Sequence, residues 1–109
     1  MRIEPDKVGV NVARAVKTGV AGLSIEDSTG DNAKPLFDRA LAVDRIRAAR
    51  KAIDADNSGV LLTGRCEAFL RGQKDLSLVI DRLTAYAEAG ADCLYAPGIA
   101  TAGRDFGRS

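Results

Sequence analysis

Few residue types in this chain can do chemistry. Its 109 residues include no His and no Trp, two Cys, 15 acidic and 16 basic side chains. Histidine-based triads, zincin motifs and imidazole general bases are therefore excluded at once. Catalysis, if present, must rest on carboxylates, Arg, Lys, Cys or a hard metal ion. The candidates sit in two short runs: Glu26-Asp27 after an apolar stretch, and Arg65 and Glu67 within Gly64-Arg65-Cys66-Glu67. Arginine offers a planar fork to a carboxylate or phosphonate. A carboxylate beside it can hold Mg²⁺ directly or through water, because that ion keeps several waters and needs few protein ligands. A Glu26–Arg65 ion pair with a purely structural role is an equally open reading. Cys66 and Cys93 lie in apolar contexts without a His to activate them, so both are expected to be buried, reduced, structural thiols.

The elements that must carry these residues follow from periodicity. Pro5 opens a helix with Val8, Val12 and Val16 on one face, and Gly19 closes it. Val20 to Asp27 reads as a buried strand and Ser28 to Pro35 as a loop. A second helix is expected over about Phe37–Ala55, with Leu41, Ile46, Ala49 and Ile53 inward and Arg39, Arg45, Arg47, Arg50 and Lys51 forming a solvated face. Val60 to Thr63 is the next strand. A third helix, about Asp75–Ala89, carries the stripe Leu76, Val79, Ile80, Leu83 and Tyr86/Ala87, and Cys93 to Ala96 is a third strand. Strands separated by helices of this length imply right-handed parallel crossovers. The fold class is α/β: parallel βα units, about three strands and three helices, either part of a (β/α)8 TIM barrel or a small three-stranded layer domain.

In such folds the sites lie at the C-terminal strand ends. Side chains alternate along a strand. Ser24 and Glu26 therefore share one face, as do Thr63 and Arg65 and nominally Glu67. If the apolar set packs on the helices, Glu26 and Arg65 point to the barrel interior. The near-neutral balance, net charge +1, lacks the basic footprint of a nucleic-acid binder. No apolar run is long enough for a membrane span, and the start of the chain has no secretory pattern. A cytoplasmic protein is expected, with residues 1–100 as one segment and 101–109 as a flexible tail.

Together, Gly22 to Ser28, Pro35-Leu36-Phe37, Asp44 to Arg50, Gly64 to Leu70 and Ala85 to Asp92 resemble the isocitrate lyase/phosphoenolpyruvate mutase superfamily. The resemblance implies a Mg²⁺-dependent barrel enzyme that cleaves or forms C–C or P–C bonds of small α-keto acids or related carboxylates. By the same resemblance Glu26 matches the acid that holds the metal's water shell, with Asp27 a weaker candidate, and Arg65 matches the substrate-anchoring arginine. Glu67 falls in the same motif and is taken with Arg65 as catalytic. The family's main metal ligands lie on earlier strands, so the 109 residues are expected to be the central portion of a barrel and catalytically incomplete. The Ser28–Pro35 loop has neither the Cys nor the His of the lyase branch, and Pro97 stands where those lyases have a glutamate. A homo-oligomer is also expected. The alternatives are a non-catalytic, self-associating α/β fragment or a small anion-binding module.

Overall fold

The computed structural model describes residues 5–19, 21–57 and 59–98. The proposed tail, 101–109, lies outside them. Helix α1 spans Pro5–Lys17, strand β1 Gly22–Glu26, helix α2 Arg39–Asp56, strand β2 Leu61–Arg65, helix α3 Leu76–Glu88 and strand β3 Cys93–Tyr95. The strands form one parallel sheet in the order β1-β2-β3. The expected alternation of helix and strand is present, with strand ends shifted by a residue or two.

The helices start and stop for local reasons. The Asp75 side chain accepts the Leu78 N–H and caps α3. Asn57 ends α2 in the left-handed conformation, φ 56°, a state its short polar side chain tolerates. Gly90, after α3, has φ +119°, and a Cβ there would lie 2.5 Å from Cγ of Arg50. Only glycine fits that approach.

The core lies on one side of the sheet. Val8, Val12 and Val16 of α1 pack with Ala42, Val43, Ile46, Ala49 and Ile53 of α2 in a cluster that also includes Leu62, Val79 and Tyr86. Leu23, Ile25, Leu62 and Gly64 turn toward the helices. Gly64 is small because Tyr86 lies against it: an added Cβ would meet the Tyr86 Cβ at 3.0 Å. The other sheet face, Gly22, Ser24, Leu61, Thr63, Arg65, Cys93 and Tyr95, is an open concavity. Among the described residues nothing covers it, and β1 and β3 each keep one unpaired edge.

Three expectations need correction. The basic face of α2 is not uniformly solvated: Arg45 is buried and Arg50 is half-buried. Arg50 donates from Nη1 to the Gly90 carbonyl and to Asp92, and from Nε to Asp54. The α3 stripe is rotated from the expected one. Val79, Arg82, Ala85 and Tyr86 are buried, whereas Leu76 and Ile80 are exposed. The cysteines also differ: Cys66 is buried, but Cys93 is exposed on the open sheet face, and both are unpaired thiols. Among the described residues, no helix is long and apolar enough to cross a membrane.

Candidate active-site face

The parallel register sets Glu26 of β1 beside Arg65 of β2, and Arg65 beside Tyr95 of β3. All three lie at the C-terminal end of the sheet. Alternation then places Glu26 and Arg65 on the open face, as the strand pattern requires. Glu26 is exposed. It forms no ion pair with Arg65, so the structural Glu26–Arg65 bridge does not exist in this fold. Arg65 instead turns to its own strand's continuation: Nε and Nη2 both reach Oε2 of Glu67, at 3.0 and 2.7 Å. The guanidinium carbon lies 5.5 Å from the Tyr95 ring centroid, within cation–π range.

Glu67 is buried, 6 % exposed. Its neighbourhood explains why so deep a carboxylate is tolerated: a buried charge needs a partner, and Arg65 is one. Asp27 is deeper still, at 1 %. Its Oδ1 accepts the Glu67 backbone N–H at 2.8 Å, and its Oδ2 accepts the Tyr86 hydroxyl at 2.6 Å and an Arg82 N–H at 3.3 Å. Arg82 also donates to the Phe37 carbonyl at 2.8 Å. Both Asp27 oxygens are thus occupied by protein donors on the helix side of the sheet. That arrangement makes Asp27 a tie between β1, β2 and α3. Burial, followed by the charge of Asp27, pushes the Tyr86 hydroxyl well above its ordinary range, which keeps it a proton donor.

A second buried cation supports the end of β1. Arg45 donates from Nη1 to the Glu26 carbonyl at 2.7 Å and stacks 4.3 Å from the Phe37 ring centroid, while its Nε has no hydrogen-bond partner. Burial draws its pKa down, against the opposing pull of Glu26, Tyr86 and Asp27. Sequence reading did not anticipate Arg45, Arg82 or Tyr86 as supports of the strand ends. The signal was faint: an arginine on the inward side of an otherwise apolar stripe in α2 and in α3.

These residues do not make a metal site by themselves. Among the described residues no group of three or more His, Cys, Asp and Glu could hold an ion. Asp27 and Glu67 are engaged elsewhere, which leaves Glu26 as the exposed carboxylate of this face. What the face offers unaided is one fixed guanidinium, one exposed acid and an aromatic ring around a concave, largely apolar floor.

The family described as phosphoenolpyruvate phosphomutase matches residues 2–105. The chain belongs to the phosphoenolpyruvate mutase family. Its fold is a portion of the TIM barrel of that family and of the related lyases. A crystal structure of a Burkholderia cenocepacia J2315 protein described as a lyase/mutase is 46 % identical, with a TM-score of 0.85 over 88 % of this chain and 34 % of that one. A 2,3-dimethylmalate lyase structure is 30 % identical, with a TM-score of 0.80 over 89 % of this chain and 33 % of that one. The 2-methylisocitrate lyase of Escherichia coli K12 is 37 % identical over 100 residues, 82 % of this chain and 32 % of the enzyme. The chain thus spans about a third of the length of the relatives it matches.

Proposed function

We propose that this chain supplies the substrate-anchoring strand ends of a Mg²⁺-dependent barrel enzyme acting on C–C or P–C bonds of small α-keto acids or related carboxylates. The observation that supports this most is the juxtaposition of Glu26 and Arg65 on the uncovered face at the C-terminal ends of paired parallel strands. That end is where α/β barrels place their chemistry. Arg65 presents a guanidinium whose orientation Glu67 already fixes, so little is lost in ordering it when a carboxylate arrives. Glu26 is the acid available to the water shell of a cation, whose main ligands are not among these residues. The Ser28–Pro35 loop contains no Cys or His, which directs the reading toward mutase-, hydrolase- or decarboxylase-type chemistry. We place the activity in the cytoplasm on the two unpaired cysteines.

The 109 residues are read as catalytically incomplete. Addition of Mg²⁺ with oxaloacetate or phosphonopyruvate is expected to give no turnover, and turnover would overturn that reading. Oxalate, a planar stand-in for an α-keto acid enolate, is expected to bind the chain weakly. Arg65→Ala should abolish that binding and, because it strips the buried Glu67 carboxylate of its partner, also lower the melting temperature. Binding that survives Arg65→Ala would remove Arg65 from the anchoring role.

A second reading, self-association into a homo-oligomer, is favoured by one observation. Leu61 and Tyr95, each 54 % exposed, lie on the uncovered sheet face between two unpaired strand edges. Such edges and apolar faces recruit partners.

A further inference from the structure

We infer that Glu67 and Asp27 are positioning residues for Arg65: a buried chain of contacts from Tyr86 through Asp27 to the Glu67 backbone fixes the carboxylate that aims the Arg65 guanidinium across the open sheet face. The inference rests on the reading of Arg65 as the carboxylate anchor, and it changes the part assigned to Glu67 from catalytic to supporting.

The contacts run in one direction. Tyr86 and Arg82 of α3 hold Oδ2 of Asp27. Its other oxygen holds the Glu67 N–H, which fixes the backbone just past the end of β2. The Glu67 side chain folds back two residues and takes Arg65 by the side-on edge, Nε with Nη2. Guanidinium has five N–H donors in a rigid plane. With the side-on edge committed, the end-on edge, Nη1 with the second Nη2 proton, is directed away from Glu67 and suits the fork–fork geometry of an incoming carboxylate. The exposures agree with this division. The Glu67 side chain is 7 % exposed and that of Arg65 33 %, so the acid is enclosed and the base is presented. Tyr95 beneath the guanidinium limits its remaining swing.

The test reads Arg65 directly, without ligand, and then with oxalate. In ¹⁵N NMR spectra of the 109-residue chain, the Arg65 Nε–H resonance should be shifted and protected from exchange. Glu67→Gln, which still offers a side-chain oxygen, should largely retain it, and Glu67→Ala should lose it. Tyr86→Phe keeps the ring that packs on Gly64 and deletes only the hydroxyl. It should broaden or shift the Arg65 signal although it touches neither Arg65 nor Glu67, and Asp27→Asn should do so more strongly. Oxalate affinity should fall about tenfold in Glu67→Ala and recover in Glu67→Gln. An Arg65 signal unchanged in both Tyr86→Phe and Asp27→Asn would overturn the inference. So would oxalate binding as tight or tighter in Glu67→Ala, because Glu67 would then be a competing charge. If the signal responds as expected but the parent chain does not bind oxalate, positioning stands and the anchoring reading falls.

Discussion

At the scale of single residues, one side of the sheet separates presented groups from enclosed ones. Arg65 and Glu26 face open space, whereas Asp27 and Glu67, their sequence neighbours, are buried beneath the strand ends. The two cysteines divide the same way, and that division has a measurable consequence. Burial and then the charge of Asp27 push the Cys66 thiol up to about 12, so near neutral pH it is almost wholly protonated as well as inaccessible. Cys93 is exposed beside Thr63 and Arg65. Brief treatment of the native chain with iodoacetamide at pH 8 should label Cys93 and spare Cys66, read by peptide mass spectrometry. Labelling of Cys66 at a comparable rate would show that the core around Asp27 opens readily. The sequence placed both thiols in apolar contexts, and that context misled at Cys93. Its strand is three residues long, and its face is the uncovered one.

At the scale of elements, the entry to β3 shows how a short motif becomes a joint. Asp92, at the end of Ala89-Gly90-Ala91-Asp92, accepts the Leu62 N–H at 2.9 Å and returns its own N–H to the Leu62 carbonyl at 2.7 Å. Arg50 of α2 clamps the same carboxylate at 3.0 Å. The Leu62 N–H above all, then the hydrogen bond and charge of Arg50, hold the Asp92 carboxyl below its ordinary value, against an opposing effect of burial that ranks next after the Leu62 N–H. A depressed folded-state value means that the group stabilises the fold above the unfolded pKa, near 4, and loses that stabilisation as pH falls through the lower folded value. Asp92→Asn should therefore be less stable than the parent at neutral pH, and the gap should narrow below about pH 4. Chemical denaturation at pH 7 and pH 3 checks this, and a gap that widens in acid would exclude the linkage. The helix–Gly–strand pattern of this joint was legible in the sequence. The Arg50 clamp was not, because it spans 42 residues and looks like an ordinary surface arginine on α2.

At the scale of the whole molecule, α2 and α3 cover one face of a three-stranded parallel sheet, α1 packs against α2, and among the described residues the other face is open. Parallel sheets are normally covered on both faces. Leu61 and Tyr95 on the open face, and Leu76 and Ile80 on the outer side of α3, are apolar surface in water. The chain should therefore associate as concentration rises from micromolar to millimolar, detected by light scattering. Leu61→Lys, which places a charge on the bare face, should shift the transition to higher concentration. A monomer across that range would count against the self-association reading.

The sequence by itself determined the order of elements, the parallel crossovers, the family, and the face on which Glu26 and Arg65 lie. Each depends on local spacing: a period of two in strands, about 3.6 in helices, and motifs a few residues long. Only the tertiary structure decided what those residues do to one another. Arg65 pairs with Glu67 rather than Glu26, Asp27 ties β1 to β2 and α3, and Arg45 and Arg82 lie beneath the strand ends rather than in solvent. Apart from the local Arg65–Glu67 pair, those outcomes were set by contacts between elements up to 59 residues apart. A buried charge takes whichever partner the packing of helices on the sheet brings within reach, and no local pattern encodes that choice.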